Sequence, residues 1–254
     1  MALMQLHIYS NVLQMNMDVW AILPEEMPPN STLKHMLFLH GGSGDHTKWV
    51  RNSNIERDAL KAGIAVFMPG AHKSCFTNVH GWHKYNEYIG SELPIILRNM
   101  FPALSHNRED TWVAGFSNGG YGAFLISLTY PETFGYACPA GAGDKADIDW
   151  AGLGRLAEKD MLFGLETDMP NSSHSVKFLA QKLLDENRPL PTILHGCGEN
   201  DPWVTMNRFM RDFFTAHNAF DYTYLEFPGI GHTTQAMELA YTEFFRKMTK
   251  EPSS

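Results

Sequence analysis

The sequence is poor in cysteine, in positive charge and in long apolar runs, and each scarcity excludes a class of function. The 254 residues include three cysteines, Cys75, Cys138 and Cys197, which are widely spaced and form no C-x-x-C pair. This usage favours buried thiols in a reducing, cytoplasmic compartment. The formal net charge of −8 argues against nucleic acid or an anionic membrane as a partner. No stretch approaches the ~20 apolar residues of a membrane span, and we expect no signal peptide.

Patterns that hold metals or nucleotides are also scarce. The chain has 12 histidines but no H-E-x-x-H and no Cys/His cluster. His80 and His83 form an H-x-x-H pair, and Asp45 and His46 lie in another loop, but loop histidines are more often hydrogen-bonding groups. Neither G-x-G-x-x-G nor a P-loop is present. We therefore expect neither a metal nor a cofactor.

Short apolar runs alternate with amphipathic segments along most of the chain. This order predicts an α/β fold with a mostly parallel, twisted sheet of about eight strands and helices on both faces. The first thirty residues differ and indicate an antiparallel pair of strands at the sheet edge. We interpret residues 1–254 as a single domain and 140–190 as a cap-like insertion over the active site.

One glycine-rich turn carries the strongest chemical signal. Residues 115–119 match G-x-S-x-G between a predicted strand and a predicted helix, which is where this motif holds a nucleophilic serine. Bulky side chains two residues before or after Ser117 would collide with neighbouring backbone. The glycines, each costing roughly 0.5–1 kcal/mol in a helix, are therefore explained by an exposed Ser117 Oγ.

A serine nucleophile needs a base and an acid that orients the base, in the chain order serine, acid, histidine. His232 follows the last predicted strand and is flanked by Gly229 and Gly231. The preceding strand ends in a segment that offers Glu199 and Asp201. We favour Asp201 because Pro202 sets a turn there, although an aspartate at such a junction also commonly caps a helix.

Acyl transfer also needs donors for the oxyanion. One should be the backbone N–H of Asn118, directly after the nucleophile. The other is assigned to Gly42 in the loop His40-Gly41-Gly42-Ser43-Gly44, which is similar to an HGGG-type loop.

With these motifs, the sequence resembles α/β-hydrolases of the esterase D group, which includes tributyrin-type esterases and S-formylglutathione hydrolases. The resemblance covers most of the chain, including "LHGGSGDHTKW", "AGFSNGGYGAF" and "HGCGENDPW". It implies the α/β-hydrolase fold, no cofactor, Ser117, Asp201 and His232 as the triad, and Gly42 and Asn118 as oxyanion donors. Two positions depart from the group: Asn118 stands where methionine is usual, and Gly44 stands where S-formylglutathione hydrolases have cysteine.

The leading hypothesis is a serine carboxylesterase that hydrolyses small-molecule, short-chain acyl esters, acetyl esters of carbohydrates included. The alternatives are a thioesterase such as S-formylglutathione hydrolase, or a hydrolase fold that only binds a ligand. Trp82, Trp150 and Trp203 are candidates to line the substrate pocket, with ordinary core packing as the competing interpretation. The sequence leaves the oligomeric state open, and a homo-oligomer is one of the alternatives.

Overall fold

An eight-stranded sheet organises the fold in the computed structural model, which describes residues 1–26 and 31–249. The sheet order is β1-β2-β4-β3-β5-β6-β7-β8. The β1–β2 and β2–β4 pairs are antiparallel, and the other pairs are parallel. The predicted sheet and its antiparallel edge are confirmed. The strands are β1 (Ala2–Ser10), β2 (Met15–Leu23), β3 (His35–Leu39), β4 (Ala65–Pro69), β5 (Thr111–Phe116), β6 (Tyr136–Ala140), β7 (Thr192–Gly198) and β8 (Tyr222–Phe227).

Helices cover both faces of this sheet because its central strands are apolar on both sides. In β5, Trp112 and Ala114 face one hydrophobic cluster and Val113 faces the other, as the two-residue period of a strand requires. Helices α1, α2 and α9 pack in the first cluster, and α4, α5, α7 and α8 pack in the second. The helices are α1 (Lys48–Asn52), α2 (Ile55–Ala62), α3 (Tyr85–Glu87), α4 (Leu93–Met100), α5 (Asn118–Thr129), α6 (Leu156–Phe163), α7 (Val176–Asp185), α8 (Val204–Ala216) and α9 (Thr234–Met248), and a π-helical stretch (Tyr88–Glu92) joins α3 to α4.

Helix α5 follows the serine and is buried from Gly119 to Leu128. Such a helix lies close to its neighbours on every side, and small residues permit the approach. A Cβ atom on Gly120 would lie 2.5 Å from the Ala140 carbonyl oxygen, and one on Gly122 would lie 2.6 Å from the Phe76 Cβ. The glycines therefore set how near α5 lies to β6 and to the loop after β4.

Residues 140–190 divide into two parts. Helix α7 packs against α5 and contributes Val176, Ala180 and Leu183 to the core, so it belongs to the helical layer rather than to a cap. The earlier residues, which include a short 3-10 turn (Lys145–Asp147) and α6, border the cavity described below. A cap-like role remains a prediction for this first part alone.

Within residues 1–26 and 31–249, no helix combines the length and the apolar character that crossing a membrane requires.

Candidate active site

Ser117 lies at the junction of β5 and α5 in a strained backbone conformation. Its φ is +58° and its ψ is −119°, a region that non-glycine residues rarely adopt. The conformation is held from both sides, because the Ser117 N–H donates to the Ala140 carbonyl (2.9 Å) and the Ser117 carbonyl accepts from the Tyr121 N–H (3.0 Å). The turn therefore presents Oγ at the carboxyl end of the sheet.

The two glycines of the motif permit this turn. A Cβ atom on Gly115 would lie 2.3 Å from the Gly119 carbonyl oxygen, and one on Gly119 would lie 2.4 Å from the Leu39 carbonyl oxygen. Real side chains do not approach backbone so closely, so larger residues would force β5, α5 and β3 apart.

The structure brings Ser117, His232 and Asp201 together from three separate strand ends. His232 Nε2 lies 3.0 Å from Ser117 Oγ, and His232 Nδ1 lies 2.6 Å from Asp201 Oδ2. Because the carboxylate only accepts, Nδ1 carries the proton and Nε2 is free to accept the serine proton. The Asp201 side chain is fully buried, while His232 remains one-quarter exposed.

The other acid considered, Glu199, makes no hydrogen bond to His232. Its Oε2 accepts a hydrogen bond from the Gly229 N–H at 3.0 Å. Asp201 instead uses Oδ1 to accept from the Trp203 N–H (2.8 Å), which leaves Oδ2 for the histidine. The turn at Pro202 thus holds Oδ1 and leaves Oδ2 directed at His232.

The backbone N–H groups of Gly42 and Asn118 lie beside Ser117. Like those of Ser43, Gly119 and Gly120, they have no acceptor within the described part of the chain. Gly42 lies against the residue after the serine, since a Cβ atom on it would lie 2.6 Å from Asn118 Nδ2. Gly41 lies against the serine itself, with an equivalent distance of 3.7 Å to Ser117 Cβ. Unpaired N–H groups in this place are suited to bind an anionic oxygen.

His40 holds the loop that carries Gly42. Its Nε2 accepts from the Ala71 N–H (3.1 Å), so Nδ1 carries the proton and donates to the Gly41 carbonyl (2.8 Å). Burial lowers the pKa of His40 below its ordinary value, which keeps the ring neutral in this arrangement. The sequence places His40 in this loop but gives no sign of its positioning role, which depends on contact with a residue thirty-one positions away.

A cavity of about 400 Å³ opens beside Ser117. A second cavity of about 430 Å³ shares Gly42, Ser43 and Lys73 with the first and extends toward β2. The first cavity is lined by Gly42, Ser43, Lys73, Ser117, Asn118, Tyr121, Gly141, Ala142, Gly143, Lys145, Ile148, Arg155, Glu158, Trp203 and Met206.

Of the three candidate pocket tryptophans, only Trp203 lines this cavity. The prediction that Trp82 lines the pocket is wrong. Its side chain is 73% exposed and packs edge-on against His83, because its loop projects from the surface. The same prediction for Trp150 is also wrong. It is buried in the core beneath the cavity, where its indole N–H donates to the Lys145 carbonyl (3.2 Å).

Lys145, Arg155 and Glu158 form a charged wall of the cavity that was not predicted from the sequence. One signal could have located it. Strand β6 is the parallel neighbour of β5, so the loop after β6 must lie at the same edge of the sheet as Ser117. Lys145 follows the end of that strand by five residues.

The arrangement combines a hydroxyl, an imidazole nitrogen placed to accept its proton, a buried carboxylate and unpaired N–H donors. On a mostly parallel sheet with the serine at a strand-to-helix elbow, these features define an α/β-hydrolase. The Esterase family model matches residues 10–233. The chain belongs to the esterase family.

Individual relatives agree with this assignment along the full chain. An acetyl esterase of Caldicellulosiruptor saccharolyticus is 29% identical over 267 residues, which cover 98% of this chain and 99% of the relative. The substrate-bound structure of fluorophosphonate-binding serine hydrolase F from Staphylococcus aureus is 28% identical, with a TM-score of 0.87. An S-formylglutathione hydrolase from the same organism is 28% identical, with a TM-score of 0.85. Each of these structures aligns over 98% of this chain and 99% of its own.

Proposed function

We propose that this serine carboxylesterase hydrolyses short-chain acyl esters, acetyl esters of carbohydrates included, through an acyl-enzyme on Ser117. The two contacts of His232 carry the proposal: Nε2 lies 3.0 Å from Ser117 Oγ, and Nδ1 lies 2.6 Å from Asp201 Oδ2. Both distances are within the range of catalytic hydrogen bonds.

In the first half of the reaction, His232 accepts the proton of Ser117 as Oγ attacks the ester carbonyl carbon. The carbonyl oxygen gains negative charge and is bound by the N–H groups of Gly42 and Asn118. The tetrahedral intermediate then collapses: the bond to the alcohol oxygen breaks, and His232 gives its proton to that oxygen. The acyl group remains on Ser117.

In the second half, His232 accepts a proton from water, which attacks the acyl carbon. Collapse of this second intermediate breaks the bond to Ser117 Oγ, and His232 returns the proton to Oγ. Asp201 keeps the ring in the required tautomer and stabilises its charged form. Products are the carboxylic acid and the alcohol.

The two cavities that meet at Gly42 and Ser43 give room for the two parts of a small ester on either side of the reacting carbonyl. Similarity to an acetyl esterase supports a short acyl chain. Trp203, which follows Asp201 by two residues, remains the aromatic candidate for contact with substrate.

Hydrolysis of p-nitrophenyl esters from acetate to octanoate tests the proposal, with wild type beside Ser117→Ala. We expect turnover to favour the short esters and to disappear in the variant. Folded wild type that hydrolyses none of these esters would support a binding protein or a narrow thioesterase instead.

A thioesterase is the second candidate, since a structural relative is an S-formylglutathione hydrolase. Gly44 weighs against this choice. A Cβ atom on Gly44 would lie 3.2 Å from Lys48 Cβ and 3.3 Å from His40 Cβ, so a cysteine at this position would displace its neighbours. Comparison of kcat/KM for an acetyl thioester and the matching oxygen ester separates the two, and we expect the oxygen ester to be preferred.

We also propose a reducing, cytoplasmic location, supported by Cys75, Cys138 and Cys197, which are all buried free thiols. A homo-oligomer stays a prediction, which sedimentation of the purified protein would test.

A further inference from the structure

The inner wall of the cavity beside Ser117 holds a buried ammonium group. Lys145 is only 8% exposed, and its Nζ donates to Asn118 Oδ1 at 3.0 Å. The group also lies over two aromatic rings, 5.2 Å from the centre of Tyr121 and 5.8 Å from that of Trp150. A buried lysine is unfavourable unless an opposite charge or strong acceptors compensate for the lost water.

No carboxylate of the described residues lies within 4.0 Å of Lys145 Nζ. The acids on either side of it in sequence bind elsewhere. Asp144 accepts from Ser175 Oγ (2.8 Å) and from the Lys177 N–H (3.0 Å), and Asp147 pairs with the Lys177 ammonium (2.5 Å). These contacts tie both acids to the start of α7 and leave Lys145 without a counter-charge.

The remaining acidic neighbours do not neutralise Lys145 either. Glu158 is held by Arg155 through two contacts, of 2.7 and 2.5 Å. Lys145 helps to lower the pKa of Glu158, but the hydrogen bonds from Arg155 are the larger cause. Burial raises the pKa of Cys75 despite the nearby Lys145, so this thiol remains neutral. The cavity wall therefore carries Lys145, Arg155 and Lys73 against a single carboxylate.

Lys145 also fixes the orientation of the Asn118 side chain. An ammonium has donors only, so Asn118 must turn Oδ1 toward it, and this places the two N–H donors of Nδ2 on the side of Gly42. The wall thus presents hydrogen-bond donors from Lys145 and Asn118 side by side, next to the reacting serine. Donors and positive charge together are complementary to an anion with several acceptor sites.

We propose that the ester this enzyme prefers carries a carboxylate, which Lys145 binds at the inner wall of the cavity. The inference rests on the proposed function, since it concerns the substrate of the same serine. The carboxylate is separate from the ester carbonyl and supplies binding and orientation. It belongs to the acyl chain or to the alcohol, and the experiment distinguishes the two.

The test uses two pairs of esters that differ only in carboxylate against carboxamide. Monomethyl succinate and methyl succinamate place the group on the acyl side. Para-acetoxybenzoate and para-acetoxybenzamide place it on the alcohol side. For each pair, kcat/KM is measured by pH-stat titration for wild type, Lys145→Met and Lys61→Met. Lys61 is the matched control because it is an exposed lysine on α2, on the opposite face of the sheet.

We expect wild type to prefer the carboxylate by about tenfold or more in one pair, the scale of a hydrogen bond to a charged group. The pair that shows this preference tells whether the carboxylate belongs to the acyl chain or to the alcohol. Lys145→Met should abolish that preference, and Lys61→Met should keep it. The preference is the ratio of kcat/KM for the two esters of a pair, measured in the same variant. A general loss of activity lowers both values and leaves this ratio unchanged.

Equal turnover within both pairs, or a preference unchanged in Lys145→Met, would overturn the inference. If Lys145→Met does not fold, as judged by thermal melting, inhibition of wild type decides. Succinate should then compete with p-nitrophenyl acetate at least tenfold better than succinamide, and equal inhibition would contradict the inference. Wild type that hydrolyses none of the esters, or activity that survives Ser117→Ala, would instead contradict the proposed function.

Discussion

At the residue scale, the proposed chemistry depends on a few side chains that each make two hydrogen bonds, and one of the two bonds orients the group for the other. Asp201 uses one carboxylate oxygen for the Trp203 N–H and the other for His232, and His232 uses one nitrogen for Asp201 and the other for Ser117. Each group therefore has one orientation and one tautomer available. Preorganisation of this kind allows proton transfer without rearrangement in the transition state.

Exchange of the buried carboxylate for an amide should separate orientation from packing. Asp201→Asn keeps the size of the side chain but lets an amide N–H face His232, which favours the wrong tautomer. We expect kcat for p-nitrophenyl acetate to fall by roughly 10³–10⁴. Glu199→Gln is the control, because Glu199 binds the Gly229 N–H and not the histidine, and it should stay within about threefold of wild type. Equal losses in the two variants would contradict the assignment of the acid.

His40 offers a second test, of a residue that acts through the loop rather than on substrate. His40→Phe removes the partners of the Ala71 N–H and the Gly41 carbonyl, so Gly42 should lose its position beside Asn118. We expect kcat to fall by about 10–100-fold, less than the ~10²–10³ for complete loss of an oxyanion donor, with little change in KM. His40→Gln should recover part of the rate. A rise in KM at constant kcat would indicate a role in substrate binding instead.

At the element scale, the site exists because three parallel strands end at one edge of the sheet. Strands β5, β7 and β8 deliver Ser117, Asp201 and His232, and the close approach of α5 to β3 brings the Gly42 loop to the serine. Small changes in helix position should therefore affect activity before they unfold the protein.

Gly119→Ala tests this dependence on packing. The added Cβ would lie 2.4 Å from the Leu39 carbonyl oxygen, so α5 must move away from β3. We expect a loss of about 1–3 kcal/mol in the free energy of unfolding by urea, and a larger proportional loss of kcat. Gly70→Ala is the matched control for stability alone, since its Cβ meets the nearest atom at an ordinary 3.5 Å but Gly70 lines the second cavity. A Gly119→Ala protein as stable and active as wild type would show that α5 is free to shift.

The strands and the elbow could be predicted from sequence because both are local patterns. Alternating apolar runs predict strands, and G-x-S-x-G between a strand and a helix predicts the turn at Ser117. Local patterns do not identify Lys145, since its importance comes from burial and from contact with Asn118. Only the expected place of the loop after β6, at the same edge of the sheet as Ser117, could have pointed to it. The error at Trp82 has the same origin, because an aromatic side chain in a loop carries no local sign of whether the loop folds inward.

At the scale of the whole molecule, two buried histidines link stability to pH. His35 in β3 and His195 in β7 are both fully packed, and burial lowers the pKa of each from 6.5 to about 4. In the unfolded chain they would take up protons near pH 6.5, whereas in the folded chain they stay neutral until about pH 4. Lowering the pH through this window therefore favours the unfolded state.

We expect the free energy of unfolding to fall between pH 6.5 and pH 4, by up to about 1.4 kcal/mol per pH unit for each histidine. Urea denaturation at several pH values measures the slope. His35→Leu should reduce this slope by up to about 1.4 kcal/mol per pH unit, the contribution of one histidine, whatever its effect on stability at pH 7. A stability that is flat across this window, or a slope unchanged by His35→Leu, would contradict the assignment.

Covalent trapping tests whether Ser117 is the nucleophile that His232 activates. The protein is treated with a fluorophosphonate, digested, and the modified peptide is identified by mass spectrometry. We expect a single phosphonylated residue, Ser117, with no labelling of Ser117→Ala and labelling of His232→Ala slowed by at least about 10³-fold. Modification at another residue, or undiminished labelling of either variant, would contradict it.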